Sequence, residues 1–412
     1  MLGLVVNPVA GIGGPAGLAG SDGADVQSLA LARGASARAG ARATIALESL
    51  PPGTPVLTVA GPMGADAATA AGLDPGVVFT PASMRKHGGV TRHVRPEAST
   101  PGVSRDEAVF SHPTATTRPA DTTVAVRALV AAGATLVLFA GGDGTARDVA
   151  AGLDGTPGVA ALGIPAGVKM YSPVFAVSPR AAGALAAAWL DGGLPVEQRE
   201  VLDVDEAALR RARVEPLLFG TMLVPYRSGR TQARKAATPA SEHAAIVAAA
   251  RGAASTLRPG VRYLLGPGGT MAELARALGV EKTPLGVDVV LDGRIVRRGA
   301  SESELLDEIG RGPAKAVVSV IGGQGFLLGR GNQQLSARVV RTLGPDPLVV
   351  VAPESKLLEL HGRPLLVDTG DPVTDAAITG FVRVVTGPSA SSFYPVHAPE
   401  LTLEPTEEPH AS

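Results

Sequence analysis

The sequence predicts an α/β protein: an N-terminal domain built on a parallel sheet, then a C-terminal domain of mixed β and α/β character. Three observations carry this. Short β-rich runs alternate with stretches of helical composition, the order that right-handed crossovers bury as parallel strands. Four of those runs end in glycine-rich loops that open into helical sequence. The chain has 412 residues, too many for one ordinary core, so it divides. The expected division assigns residues 1–165 to the first domain and 166–398 to the second, with 399–412 a loose tail carrying Pro and Glu.

The first unit is Leu4-Val5-Val6 followed by Asn7-Pro8-Val9-Ala10-Gly11-Ile12-Gly13-Gly14. Proline directly after the strand stops the ladder, and the glycines make a loop able to wrap phosphates or simply to connect strand and helix. Residues 85–119 are polar and rich in Arg, His, Thr and Pro, and read as a long surface loop or lid. Asp121 reads as the N-cap of a helix over Thr122–Ala132. The second unit is Leu136–Ala140 with Gly141-Gly142-Asp143-Gly144-Thr145, and Thr145 to Asp148 fits a capping-box variant. A Pro-Ala-Gly turn then leads to Lys169, a phosphate contact or a solvated lysine.

Asp203-Val204-Asp205-Glu206 places three carboxylates after a strand-like run. They hold ribose hydroxyls or Mg²⁺, or they form an exposed turn in which Asp205 caps a short helix over 207–210. The third unit is Tyr263–Leu265 with Gly266-Pro267-Gly268-Gly269-Thr270, a second anion site or a helix start capped by Thr270. Val287–Leu291, Asp292-Gly293 and Arg294–Val296 read as a hairpin. The fourth unit is Val317–Ile321 with Gly322-Gly323-Gln324-Gly325, leading to Arg330 and Asn332. Arg330 can grip a phosphate with its planar fork or face solvent.

Composition removes several chemistries. Aromatics are 3% and the net charge is -1, so neither stacking on single strands nor a basic field for nucleic acid or membrane is available. The absence of cysteine excludes disulfides and thiolate zinc sites, and is compatible with a reducing cytosol. The seven histidines show no metal-ligand spacing. The apolar N-terminal run is too short for a signal peptide, so a soluble, cytoplasmic protein is expected. No P-loop and no nucleophile elbow is present.

Asp143 is the residue on which chemistry centres. It stands between glycines at a strand end, where ligands arrive in α/β sheets. Glycine neighbours leave it unshielded and let phosphate oxygens approach backbone N–H groups. A free aspartate is ionised at neutral pH, so it needs no tuning to align a hydroxyl.

Together Val6–Gly11, Phe139–Asp148, Gly322–Phe326 and Gly329–Gln334 resemble the ATP-NAD kinase-like family that includes AcoX-type proteins. That family stands with NAD kinases, diacylglycerol and sphingosine kinases, and phosphofructokinases. The resemblance runs from the first strand to about residue 385, and its Gln-rich glycine segment marks the AcoX-type branch. It implies phosphoryl transfer from ATP, or from polyphosphate, to the 2′-hydroxyl of NAD, with Mg²⁺ on the donor. It makes Asp143 the base, and Gly141, Gly142, Gly144 and Thr145 the phosphate site. Asn7, with Pro8 and Gly11, lies near the donor nucleotide. Asp148, Lys169, Asp203, Asp205, Glu206, Arg330 and Asn332 are the candidates for the acceptor. NAD kinases carry Asn-Glu where this chain has Asp205-Glu206. A dimer or tetramer is expected. The rival functions are a lipid or sugar kinase on the same scaffold, and an NAD-binding accessory protein without catalysis.

Overall fold

The hydrophobic run at the N-terminus becomes β1 (Leu2–Val6), buried along its whole length. A strand with no solvent face needs cover on both sides, and the elements that follow supply it. The computed structural model describes residues 1–18, 24–85, 117–167, 170–192, 194–204, 216–227 and 243–401. Most of the expected lid, Lys169, Asp205, Glu206, the helix over 207–210 and residues 402–412 lie outside them.

After β1 come α1 (Ala24–Ala32), α2 (Ala39–Leu47), β2 (Val56–Val59), α3 (Ala65–Ala70), β3 (Pro75–Phe79) and α4 (Ala82–Arg85). The chain continues through α5 (Pro119–Ala131), β4 (Leu136–Gly141), α6 (Asp143–Leu153), β5 (Ala160–Pro165), α7 (Pro179–Leu190), β6 (Val196–Val204) and β7 (Pro216–Pro225). These strands form one sheet in the order β3-β2-β1-β4-β5-β7-β6. All are parallel except β6, which pairs antiparallel with β7. Helices α2 and α7 pack on one face, α5 and α6 on the other. The chain builds outward from β1 to β3, then returns to lay β4 on the opposite side of β1. The order therefore reverses between β1 and β4, and the crevice beyond their carboxyl ends is where such sheets bind ligands.

The second sheet begins with α8 (His243–Thr256), β8 (Arg262–Leu265) and α9 (Gly269–Ala277). The hairpin β9 (Asp288–Leu291) and β10 (Arg294–Arg297) forms as read, with Asp292 and Gly293 at φ 48° and 71°, the two positive values a tight hairpin turn requires. Then come α10 (Glu302–Ile309), β11 (Ala314–Val318), β12 (Phe326–Leu328), α11 (Ala337–Leu343), β13 (Leu348–Val351) and α12 (Glu354–Leu358). The last elements are β14 (Leu365–Val367), α13 (Pro372–Ile378), β15 (Gly380–Val385) and β16 (Ser391–His397). The order is β10-β9-β8-β11-β13-β15-β16-β14-β12. β16 runs between β15 and β14, so β14 and β12 join the sheet only through it. One apolar cluster packs under α10 and α11, a second under α8 and α9. Both halves are thus α/β with mostly parallel sheets.

Several local expectations shift. The division expected after residue 165 falls inside the first sheet, because β6 and β7 extend it to Pro225. α5 begins at Pro119, and Asp121 is in its first turn, where its carboxylate accepts the Arg118 N–H at 2.8 Å. α6 and α9 start at Asp143 and Gly269, with Gly142 and Gly268 as N-caps, so neither Thr145 nor Thr270 caps a helix. Glycine takes the turn in both places, which moves the cap from Thr145 to Gly142, three residues earlier, and from Thr270 to Gly268, two residues earlier. The expected tail is anchored at its start: the Glu400 carboxylate accepts the Arg180 N–H at 3.2 Å. Among the described residues no helix is long and apolar enough to cross a membrane.

Candidate functional site

β1 and β4 deliver their loops side by side into the crevice at the strand-order reversal. The Asn7 N–H donates to Ala140 O at 3.0 Å. The Asn7 side chain donates to Thr145 Oγ1 at 3.0 Å and accepts the Val9 N–H at 3.2 Å. Asn7 and Thr145 therefore lock the first loop, whose turn starts at Pro8, to the glycine loop after β4. Gly141 has no alternative: a Cβ there would lie 2.3 Å from Thr145 Oγ1. Gly11 packs against the Ala166 carbonyl oxygen. The Ala166 and Gly167 N–H groups donate to Gly141 O at 3.0 and 2.9 Å, closing the chain after β5 onto the same loop.

Asp143 opens α6 and is 1% exposed. Its Oδ2 accepts the Tyr171 N–H at 2.6 Å; its Oδ1 accepts the Ser172 N–H at 3.0 Å and the Ser172 hydroxyl at 2.7 Å. The expectation of an unshielded carboxylate is corrected, because the segment after β5 folds over it. Phe175 fixes that segment. Its ring fills the slot left by Gly163, whose missing Cβ would lie 2.2 Å from the ring, and it meets Phe139 edge-on at 5.5 Å between centroids. Burial pushes the Asp143 carboxyl up to about 6, against the downward pull of Tyr171 and Ser172, with the Asp203 charge adding to the rise. The view that it needs no tuning is corrected with it.

Asp203, on β6, accepts Arg147 Nη1 at 3.0 Å, and the Arg147 guanidinium lies 5.5 Å from the Phe219 ring. Asp148 Oδ1 is 3.6 Å from Arg147 Nε. Gly144 opens toward this group, with Arg147 and Asp203 side-chain atoms 4.0 Å from where its Cβ would be. Asn7, Asp143, Asp148, Asp203 and the glycines are thus brought together.

Arg330 and Asn332 are not free to bind a ligand as expected. Arg330 is buried, donates to Asp368 Oδ2 at 2.8 Å and Val177 O at 2.9 Å, and lies over the Phe326 ring at 4.1 Å. Asn332 spans its own loop, donating to Leu327 O at 2.7 Å and accepting the Gly329 N–H at 3.0 Å. Asp368 also takes Arg42 from α2, which in turn donates to Pro165 O. Burial alone would raise the Asp368 carboxyl, but Arg42 and Arg330 hold it down at about 2. A small pocket follows this seam between the halves, lined by Gly11, Arg38, Gly167, Gln333, Ser336 and Thr369 among others.

Sequence reasoning missed Tyr171, Ser172, Arg42 and Asp368. The first two act largely through backbone N–H groups, which leave no residue-type signal. Asp368-Thr369-Gly370-Asp371-Pro372 is turn-rich sequence that could have drawn notice. Among the described residues no group of three or more His, Asp or Glu is placed to hold a metal.

The ATP-NAD kinase N-terminal domain model matches residues 2–194, and the ATP-NAD kinase C-terminal domain model matches residues 258–396. Neither a curated protein nor a solved structure matches the chain. The two domain models follow one another along the chain, the first ending with the helix that follows the Asp143 cover and the second taking in all the strands of the second sheet, and the chain belongs to the NAD kinase family.

Proposed function

We propose that this chain moves the γ-phosphoryl group of ATP, or a terminal phosphoryl of polyphosphate, to the 2′-hydroxyl of NAD, giving NADP. The observation that supports this reading most is Asp143. It is a buried carboxylate at the strand-order reversal, shifted to about 6, and among the described residues no cation pairs with it. Such a group is ionised at neutral pH yet close enough to it to take a proton. The ribose oxygen bonds to the γ-phosphorus while the bond from that phosphorus to the bridging oxygen breaks. The hydroxyl proton passes to Asp143, and the leaving diphosphate keeps the electron pair. Tyr171 or Ser172 yields its place on the carboxylate as the hydroxyl arrives. Gly141, Gly142 and Gly144 let the phosphates approach the backbone, and Asn7 with Thr145 keeps the two loops in register. Within the family, the Gly322–Gln334 segment supports the AcoX-type branch.

Mg²⁺ is expected with the nucleotide. Among the described residues Asp143, Asp148 and Asp203 are the carboxylates brought together here, and each is engaged, the first by N–H and hydroxyl donors and the other two by Arg147. They do not form a metal cage, and no step is assigned to a protein-held metal.

The test is to mix the protein with NAD, Mg²⁺ and either ATP or polyphosphate and to follow NADP with an NADP-specific dehydrogenase. NADP formation with either donor is the expected result. Its absence with both, from folded protein, overturns this acceptor.

A further inference from the structure

The cover over Asp143 is held from the second half of the chain. Four carbonyls between Pro165 and Val177 are taken by charged or amide side chains from elsewhere in the chain. Pro165 O accepts Arg42, itself bound to Asp368. Gly167 O accepts Gln333 Nε2 at 3.2 Å. Met170 O accepts Gln324 Nε2 at 3.0 Å. Val177 O accepts Arg330 at 2.9 Å. Gln324 is the contact nearest the carboxylate, since Met170 directly precedes Tyr171, whose N–H meets Asp143. It is 5% exposed and is carried on a tight loop after β11, in which Gln324 N and Gly325 N both donate to Ile321 O at 3.2 and 2.8 Å. A buried amide spent on one backbone carbonyl of the other domain fixes that carbonyl in place.

We propose that Gln324 is a positioning residue for Asp143: by holding the Met170 carbonyl it keeps the Tyr171 and Ser172 donors on the carboxylate, so that closure of the two domains sets the state of the base. Its link to turnover rests on the phosphotransfer reading above; its link to the Asp143 environment does not. Among the described residues the groups facing Asp143 are few. Asp203 on β6 is the charged neighbour that acts on it, Arg147 on α6 is paired with Asp203, and Tyr171 on the cover has its hydroxyl pushed up to about 12 by burial and by Asp143. Gln324 itself carries no charge, so replacing it adds none.

Gln324→Leu keeps the volume and removes the donor. Hydrogen exchange followed by mass spectrometry is expected to show the Tyr171 and Ser172 amides exchanging roughly tenfold faster, the scale of one lost buried hydrogen bond, with β8 and β11 unchanged. Asp143 then loses donors that hold its carboxyl down and gains water that relieves its burial; burial is the larger influence, so the acid limb of its pH profile moves from about 6 down toward the ordinary carboxylate value of 3.8. That limb is read from NADP formation and, independently of any turnover, from the carboxyl carbon of Asp143 by NMR titration. Unchanged exchange in folded Gln324→Leu overturns the proposal, as does faster exchange with the acid limb left in place. If Gln324→Leu fails to fold, Gln324→Asn, which keeps the amide but cannot reach, reads the same two quantities. Should wild type make no NADP while exchange and titration respond as expected, the positioning role stands and the proposed acceptor falls.

Discussion

Asp143 and Asp368 are both buried aspartates just beyond the ends of strands, and burial pushes both carboxyls the same way. They end far apart, at about 6 and about 2. The difference is the company. Among the described residues Asp143 is met by two backbone N–H groups and a hydroxyl, all neutral. Asp368 is met by two guanidinium groups, from Arg42 and Arg330. Neutral donors leave a carboxylate able to exchange a proton near neutral pH; paired cations fix its charge. Burial therefore says little about a carboxylate's role until its counter-charge is counted. By that count the first aspartate suits chemistry and the second suits joining the halves.

The sharpest way to break this comparison is to remove each carboxylate in turn. Asp368→Ala strands two buried arginines, and is expected to cost about 3–5 kcal/mol of folding stability, read from the denaturant midpoint. A loss near zero would make the seam an ornament. Asp143→Asn is expected to lower turnover roughly a hundredfold or more with the fold retained, read from steady-state NADP formation beside a thermal melt. Near-normal turnover would move the base elsewhere. The smaller and more discriminating effect is in pH. Asp368 has a depressed value, so its contribution to stability is full above 3.8 and lost as pH falls toward about 2. Asp143 has a raised value, so the native state holds that proton more tightly, and the stability this brings is lost as pH rises from 3.8 through about 6. Wild-type-minus-variant stability curves for the two positions should thus slope in opposite directions, in separate windows. Parallel slopes would erase the distinction.

Much of the fold was legible, because the signals were local. The strands that end in glycine loops declare themselves by β-rich composition and punctuation, and the Asp292-Gly293 turn by dihedral demand alone. Asp143 stood out as a candidate for the same reason. Its burial did not. The groups that cover it are N–H donors at Tyr171 and Ser172, and every residue but proline supplies an N–H. Neither reading of Arg330, a grip for phosphate or a solvent-facing side chain, found its place, because its partner Asp368 is 38 residues away, and Arg42 lies 326 residues from that same carboxylate. Such distances hide a pairing that folding makes intimate. The helix starts at Asp143 and Gly269 were placed late because threonine was credited with a cap that glycine provides.

The placement of β16 has a consequence for the newborn chain. Strands grow from the ribosome in sequence order, at roughly 5–20 residues per second, but this sheet does not accept them in that order. β12 and β14 emerge early and have no place in the sheet until β16, ending at His397, slides between β14 and β15. The loops flanking β12 carry Gln324 and Arg330, and the residue after β14 is Asp368. The first half can thus be fully made and folded around its own sheet while the hands that hold its carboxylate cover are still unplaced. Assembly of the site waits on the last strand described along the chain, so a stalled chain holds the aspartate without its keeper.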